Sequence, residues 1–389
     1  MRPEFSTSWL AGATAAIAER AERELEALVA VSSPSGDVHG AEEICAVVAA
    51  LLPDAATVER IPCSTPEHAP DLLATLDGHG DTGVLLLGHL DTVHGHDEHR
   101  PLERRGDRLV GSGTVDMKGG IALALGVLRA LADLPETYAR LSLLAVNDEE
   151  WRTGDFAHGP RFAGYDACLC FEAGERGPGG EEGLIARRKA AGTLRVRARG
   201  VAAHSGSAPE AGRNALLALG EAARRVAELS DPGGPERLTA VPTVLRSGDA
   251  FNVVPAHGEL ITDLRADRLD AFEAVLAAVP PGVDGVELEA EIVRRWPGMD
   301  TRELVRSRLV EPAQALLGRP LAATERGGAS DASHMAAHIP LTVDGLGPRG
   351  GKAHHPDEFV LAESLRTRAE VALAVAAAAL SAGATGDVH

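Results

Sequence analysis

The sequence predicts an α/β fold in which a domain with a parallel-stranded sheet is interrupted by a smaller ferredoxin-like domain. In the first half of the 389 residues, short and wholly apolar runs alternate with helical patterns, which is typical of strands buried on both faces. From about residue 192 the strands alternate apolar and polar residues instead, in the order β-α-β-β-α-β. After about residue 301 the first pattern returns. We therefore expect residues 192–301 to be inserted into one domain formed by residues 1–191 and 302–389.

The first part of the chain supplies the strands of the larger sheet. An amphipathic helix is predicted from the start of the chain to about Val31. Apolar runs predict buried strands at residues 83–89, 139–147 and 165–172, and a helix at residues 118–134 lies between the first two. Ligands of such sheets bind at the carboxyl ends of the strands, so the residues after each run are the first candidates for function.

The inserted part and the returning part follow from the same periodicities. In the insertion, strands are predicted at residues 192–200, 238–247, 257–266 and 285–295, and helices at residues 209–229 and 268–279. The larger domain is then completed by a helix at residues 303–318, two short strands and a buried terminal helix that includes residues 371–384.

The composition argues against several classes of protein. There are 38 Lys and Arg against 57 Asp and Glu, a formal net charge of −19, whereas binding to nucleic acid or to an anionic membrane needs clustered positive charge. The four cysteines are too few for a disulfide scaffold. The start of the chain could also be a signal peptide, but its apolar run is weak. We predict a cytoplasmic protein with neither nucleic acid nor membrane as a partner.

Several short motifs place metal-ligand side chains at or near the strand ends. The side chains of His89 and Asp91 point to the same face of a strand. The carboxylate can therefore accept a hydrogen bond from one ring N–H of the histidine and leave the other ring nitrogen free for a metal. Asp116 lies in a Gly-rich turn before a helix, a motif that by itself also fits a phosphate loop. An isolated acidic run is more often a solvated surface. The remaining candidates are Asp148, Glu149 and Glu150 after one strand, Glu172 after another, and His354 in a Gly-rich loop.

These candidates predict a site for two metal ions. Imidazole nitrogens and carboxylate oxygens suit zinc, with cobalt and manganese as alternatives. A single catalytic zinc takes three protein ligands and a water, so five ligands indicate two ions that share one carboxylate. The five are His89, Asp116, Glu150, Glu172 and His354.

The series of motifs resembles that of the two-zinc amidohydrolases, which include carboxypeptidase G, acetylornithine deacetylase, succinyl-diaminopimelate desuccinylase, aminoacylase and carnosine dipeptidases. The similar segments are, in order, GHLDTV, GSGTVDMKGG, NDEE, FEAG, AAHSG, FNVVPA and GGKAHHPDE. The resemblance covers nearly the whole chain and is strongest to the glutamate carboxypeptidase group. It implies a zinc-exopeptidase-like catalytic domain with an inserted lid and dimerisation domain.

The resemblance also implies how the two ions are held. One zinc would be bound by His89 and Glu172 and the other by Glu150 and His354, with Asp116 as the bridge. The family has a cis peptide bond after this aspartate, so the Asp116–Met117 bond should be cis. One position departs from the family, because His355 stands where Ser or Thr is usual and could compete with His354 as a ligand.

Further residues receive roles from the resemblance. Asp91 would orient His89, and Glu149 would be the general base. His204 would donate to the oxyanion from the partner subunit of a homodimer. The implied substrate-binding residues are Asn252, Arg265, which can grip a carboxylate, and Gly327, Gly328 and Ser330.

The implied reaction is hydrolysis, by a zinc-activated water, of an amide bond next to a free carboxylate. Within that chemistry we expect a carboxypeptidase-like release of a C-terminal amino acid, with glutamate as the first guess. An N-acyl-amino-acid deacylase or a dipeptidase would use the same residues with a different pocket. An inactive, metal-stabilised dimer is the alternative outside the enzymes, and the intact Glu149 argues against it.

Overall fold

The structure, a computed structural model, describes residues 5–382. The first residues of the predicted N-terminal helix and the last two of the apolar run 371–384 therefore lie outside the described residues. In the described part, the α-helices are α1 (Thr7–Val29), α2 (Val38–Leu51), α3 (Gly119–Ala132), α4 (Ala215–Ala227), α5 (Ala271–Ala278), α6 (Arg302–Val305), α7 (Glu311–Leu317), α8 (Asp331–Met335) and α9 (Ala362–Ala382).

The strands of the same residues fall into several sheets. They are β1 (Thr57–Ile61), β2 (Asp71–Asp77), β3 (Gly83–His89), β4 (Glu103–Arg105), β5 (Arg108–Val110), β6 (Arg140–Val146), β7 (Ala167–Cys170), β8 (Glu175–Arg176), β9 (Glu182–Arg188), β10 (Ala190–Arg199), β11 (Ala203–His204), β12 (Thr239–Ser247), β13 (Val253–Val254), β14 (His257–Ala266), β15 (Gly282–Val283), β16 (Val286–Trp296), β17 (Met299–Asp300), β18 (Leu321–Arg326), β19 (Thr342–Val343), β20 (Gly350–Gly351) and β21 (Phe359–Leu361).

The larger sheet has the order β1-β2-β6-β3-β7-β19 within the described residues. Its members β6, β3, β7 and β19 run parallel, as predicted, whereas β1 and β2 add an antiparallel edge that the apolar patterns did not indicate. Because β6, β3 and β7 are parallel neighbours, their carboxyl ends meet at one edge of the sheet. The residues that follow these three strands are therefore brought together.

Both faces of this sheet are covered, which explains the wholly apolar strands. In β3, Leu86 packs in the same core as α1, α3 and α9, whereas Leu85 and Leu87 face a second core that contains Phe162 and Met335.

None of the helices that the structure describes combines the length and the apolar character needed to cross a membrane.

The smaller sheet has the order β12-β14-β10-β16-β15, with antiparallel neighbours. Apart from the two-residue strands β11, β13 and β15, the α-helices and strands of this part of the chain are β10, α4, β12, β14, α5 and β16 in order, so the predicted ferredoxin-like order is confirmed. The strand β17 then pairs with β9, which returns the chain to the larger domain.

Two predicted helices differ from the structure. The helix predicted at residues 209–229 begins only at Ala215, because the side chain of Asn214 accepts from the backbone N–H groups of the first turn and caps the helix. The helix predicted at residues 303–318 contains a π-helical turn at Arg306–Val310, which ends two residues before Pro312. Proline has no N–H to donate and its ring clashes with the preceding turn, so regular α-helical bonding is interrupted there.

Candidate active site

The five predicted metal ligands lie together at the carboxyl edge of the larger sheet. His89 ends β3, and the loops after β6 and β7 supply Glu150 and Glu172. Among the described residues, two triplets have ligand atoms within 4.8 Å of one another, and Asp116 belongs to both. The triplets are His89, Asp116 and Glu172, and Asp116, Glu150 and His354.

The two oxygens of Asp116 face different histidines. Oδ1 lies 3.1 Å from Nε2 of His89, and Oδ2 lies 3.2 Å from Nε2 of His354. The other carboxylates are close as well, since Nε2 of His354 is 3.1 Å from Oε2 of Glu150 and Nε2 of His89 is 3.9 Å from Oε1 of Glu172. A carboxylate with one oxygen in each triplet has the placement that a bridging ligand needs.

The turn that carries Asp116 is held by backbone geometry and by one buried carboxylate. Gly113 has a φ of 72°, which glycine adopts without strain, and the Asp116–Met117 peptide bond is cis, as predicted. Glu358 is 1% exposed and accepts from the backbone N–H groups of Gly113, Val115 and Asp116 at 3.0, 2.7 and 2.9 Å. The sequence analysis gave Glu358 no role, although it belongs to the GGKAHHPDE segment.

His354, and not His355, is the histidine that reaches the cluster. His355 is exposed, and its Nδ1 accepts from the backbone N–H of Asp357 at 3.0 Å. Hydrogen bonds to Asp116 and Glu150 raise the pKa of His354 to about 10. The structure therefore favours His354 over the alternative left open by the sequence.

Asp91 contacts both His89 and the acidic pair. Its Oδ1 and Oδ2 accept from the backbone N–H groups of Glu149 and Glu150 at 3.2 and 3.1 Å. The closest partner of Nδ1 of His89 is the carbonyl oxygen of Asp91 at 3.0 Å, and the carboxylate oxygen lies at 3.4 Å. Asp91 thus positions the Glu149–Glu150 loop at least as directly as it orients His89.

Glu149 lies beside the cluster but belongs to neither triplet. It is 8% exposed, and burial raises its pKa well above the usual range. Burial and the neighbouring Asp116 likewise raise the pKa of Glu172 to about 8. Closely spaced buried carboxylates resist ionisation together, and a divalent cation would replace the protons that they otherwise hold.

A cleft of about 520 Å³ opens above the cluster. Asp116, Glu149, Glu150, Glu172 and His354 line it on one side. Four arginines line it as well, namely Arg188, Arg265, Arg294 and Arg326. The cleft therefore combines a candidate metal centre with positive charge, in a chain whose net charge is −19.

The predicted substrate-binding residues divide into two groups. Arg265 and Gly328 line the cleft, and exposed Gly327 belongs to the same loop. Ser330 is buried, and its hydroxyl accepts from the backbone N–H of Ala332 at 3.2 Å, so it caps α8. Its side chain thus already has a structural partner, which disfavours the predicted contact with substrate.

His204 and Asn252 are exposed and lie on the neighbouring short strand and turn of the smaller domain. Nδ1 of His204 accepts from the backbone N–H groups of Gly206 and Ser207 at 3.1 and 3.2 Å. The carbonyl oxygen of Asn252 accepts from the backbone N–H of Ser205. Neither residue is among the described residues that line the cleft of this subunit.

Three of the cleft arginines and a buried ion-pair network were not predicted from the sequence. Arg152 has a fully buried side chain and lies between Asp148 and Asp331, with N–O distances between 2.5 and 3.1 Å. Arg326 directly precedes the glycine pair at 327–328, which was a usable signal. Whether the side chains of Arg188 and Arg294 point into the cleft depends on which faces of their strands are turned toward it. A local sequence pattern does not give that orientation.

The sequence of the chain is similar to those of known proteins. The family model described as Peptidase family M20/M25/M40 matches residues 85–378. A carboxypeptidase G2 from a Pseudomonas species is 28% identical over 353 residues, which cover 86% of this chain and 82% of the relative. An acetylornithine deacetylase from Salmonella arizonae is 30% identical over 328 residues, covering 78% of this chain and 82% of the relative.

Solved structures share the fold. An aminopeptidase PepT from Bacillus cereus aligns with a TM-score of 0.73 and 21% identity, covering 93% of this chain and 98% of that one. A metallo-carboxypeptidase of the M20 family from Sulfolobus solfataricus aligns with a TM-score of 0.72 and 16% identity, covering 93% and 99%. At these identities the likeness concerns the fold alone.

Proposed function

The chain belongs to peptidase family M20/M25/M40, and from that premise we propose that it cleaves an amide bond next to a free carboxylate and releases a C-terminal amino acid. One observation carries the proposal. A single cleft is lined by members of both candidate metal triplets, by a buried glutamate outside them and by an arginine that can bind a carboxylate. The buried glutamate is Glu149, and the arginine is Arg265. Glutamate is the first amino acid to test, because the motif series most resembles that of the glutamate carboxypeptidase group.

Two divalent ions per chain fit the donor set. The nitrogen and oxygen ligands suit zinc, with cobalt and manganese as alternatives. His89 and Glu172 would hold one ion and Glu150 and His354 the other, with Asp116 between them. When bound, the ions supply Lewis acidity and lower the pKa of a coordinated water to about 7.

The residues of the chain perform the proton transfers. Glu149 accepts a proton from the attacking water and returns it to the leaving nitrogen, which yields an amine and a carboxylate. Asp91 keeps the Glu149 loop in place through its two backbone hydrogen bonds. Arg265 binds the free carboxylate of the substrate, and His204 of the opposite subunit donates to the oxyanion.

A substrate panel tests this proposal. Protein supplied with zinc, cobalt or manganese should hydrolyse acyl-glutamates faster than acetyl-amino acids or dipeptides, and a chelator should abolish turnover. The Glu149→Ala variant, whose change removes the base, should lose about 10²–10⁴-fold in kcat. A preference for acetyl-amino acids would indicate a deacylase, as in the acetylornithine deacetylase relatives. A preference for dipeptides would indicate a dipeptidase.

We also propose a homodimer formed by the smaller domain, residues 192–301, with the catalytic domain made of residues 1–191 and 302–389. Within the described part of the smaller sheet, β12 is an edge strand. Exposed apolar side chains lie on or near it, which is typical of a surface that a partner covers. They include Val241 at 50%, Leu217 at 68% and Phe251 at 101% exposure.

The position of His204 supports its action across that dimer. The strand β10 has ten residues, so its ends are separated by about 30 Å, and Arg265 pairs near its start whereas His204 follows its far end. A closed two-fold dimer lets each subunit give and receive one His204.

The four cysteines are free thiols, which fits the reducing cytoplasm that we propose as the compartment.

Mixing two inactive variants tests the exchange. A heterodimer of Glu149→Ala and His204→Ala chains has one complete site, so with free subunit exchange roughly a quarter of wild-type activity should return. A mixture with verified exchange and no activity, or a fully active monomer, would contradict the role of His204 across the dimer.

A further inference from the structure

Arg294 differs from the other three arginines of the cleft. Each of those three has a carboxylate partner within the protein, so part of its charge is already compensated. The pairs are Arg188 with Asp344 at 2.7 Å, Arg265 with Asp263 at 3.0 Å and Arg326 with Glu175 at 3.8 Å. Among the described residues, no carboxylate forms an ion pair with Arg294, and its buried Nε has no hydrogen-bond partner.

The side chain of Arg294 is nevertheless held in place. Its guanidinium carbon lies 4.6 Å from the ring centroid of Trp296, which is fully buried. Nε1 of Trp296 donates to the carbonyl oxygen of Arg152 at 3.4 Å, and His334 packs against the indole edge-on at 4.8 Å. A partly buried and positioned guanidinium without a carboxylate partner is a site for an anionic group of a ligand.

Arg294 and Arg265 can act on one small molecule. In the smaller sheet, Arg294 lies opposite Thr193 and Arg265 lies opposite Ala191, on the two strands that flank β10. Because residues 191 and 193 of a strand point to the same face, the two arginines share that face. Both line the cleft that contains Glu149.

We propose that Arg294 is a specificity-determining residue that binds a second carboxylate of the substrate. The preferred substrates then carry two carboxylates, one next to the scissile amide for Arg265 and another for Arg294. This inference rests on the proposed function, because it describes the substrate of the same site. The second carboxylate comes either from the side chain of the released amino acid or from the acyl group.

Two matched substrate pairs distinguish these sources. N-benzoyl-glutamate and N-benzoyl-glutamine differ only in the charge of the amino-acid side chain. N-succinyl-alanine and N-butyryl-alanine differ only at the end of the acyl group. We expect the wild type to prefer the charged member of one pair by about 10- to 100-fold in kcat/KM, the range of a charge-assisted hydrogen bond.

Substitution of Arg294 tests the assignment. Arg294→Gln should abolish the preference and affect the neutral substrates much less, whereas Arg294→Lys should retain part of it. Arg295→Gln is the matched control, because the side chain of the adjacent Arg295 is 40% exposed and pairs with Glu273 at 2.8 Å. A wild type without preference in either pair, or an equal loss on charged and neutral substrates in Arg294→Gln, would overturn the inference.

Equilibrium binding gives the same test without turnover. Glutarate should bind the wild type and Arg295→Gln more tightly than butyrate does, and this difference should disappear in Arg294→Gln. If no substrate is hydrolysed but glutarate binding depends on Arg294, the proposed reaction is wrong and the inference stands. If substrates are hydrolysed but neither matched pair shows a preference that depends on Arg294, the inference is wrong and the proposed reaction stands.

Discussion

The substitution Glu358→Gln should weaken metal binding although Glu358 is not a candidate ligand. Its Oε1 accepts from the backbone N–H groups of Val115 and Asp116, and its Oε2 accepts from that of Gly113. These three bonds hold the turn that presents Asp116 to both triplets. Glutamine keeps one acceptor oxygen, so in either orientation of the amide at least one backbone N–H faces an NH₂ group.

The magnitude follows from the lost bond. A hydrogen bond to a charged acceptor contributes about 1.5–3 kcal/mol, and a buried donor left unpaired adds to the loss. If bound metal requires the native position of Asp116, the affinity for the more weakly bound ion should fall by about 10- to 150-fold. Competition with a chromophoric chelator measures this, and excess metal should restore most of kcat.

The matched control is Glu363→Gln. This substitution removes the same charge as Glu358→Gln, but the carboxylate of Glu363 is 57% exposed and pairs with the side chain of Arg349 at 2.7 Å. Its metal affinity should equal that of the wild type. A folded Glu358→Gln protein with wild-type metal affinity would refute the reasoning that this carboxylate holds the Asp116 turn.

Three further predictions concern the acidic loop after β6. Glu150→Ala should lose one of two ions, and Glu149→Ala should retain both, as elemental analysis after dialysis would show. Arg152→Met should lower the free energy of unfolding, measured by denaturant titration, by about 3–5 kcal/mol because it leaves buried carboxylates unpaired. The control is Arg104→Met, because the ion pair of Arg104 is exposed. An equal effect of the two substitutions would contradict the prediction. Burial raises the pKa of Asp148, but the charge of Arg152 outweighs burial and lowers this pKa from 3.8 to about 2. The ionised carboxylate should therefore contribute about 2–3 kcal/mol to the free energy of unfolding. This contribution is complete above pH ~4 and is lost as the pH falls through 2. Asp148→Asn should lack that acid dependence.

The cluster of candidate metal ligands could be predicted from the sequence because each candidate lies in a recognisable local motif. His89, Glu150 and Glu172 follow apolar runs that form adjacent parallel strands, so their convergence needs only the rule for strand ends. The partners of these motifs could not be predicted in the same way. Arg152 and Asp331, for example, are 179 residues apart, and no local pattern relates them.

Two errors had signals that were present but not used. Asn214 precedes Ala-Leu-Leu and caps α4, and Ser330 precedes a short helix and caps α8. Both residue types are preferred at helix N-caps. Reading Asn214 as a cap would have placed the start of α4 correctly, and reading Ser330 as a cap would have argued against its predicted contact with substrate.

The smaller domain contributes two kinds of group to the proposed site. Arg265 and Arg294 lie at the end of the sheet next to the larger domain, where buried Trp296 bonds to the backbone of Arg152 in the acidic loop. Their position is therefore fixed within one subunit. His204 follows the far end of β10 and is exposed, so the action proposed for it would need a partner subunit. A variant that disrupts the dimer, such as Leu217→Asp, should consequently lose turnover while it still binds glutarate, and parallel loss of both would show that the arginine site also depends on assembly.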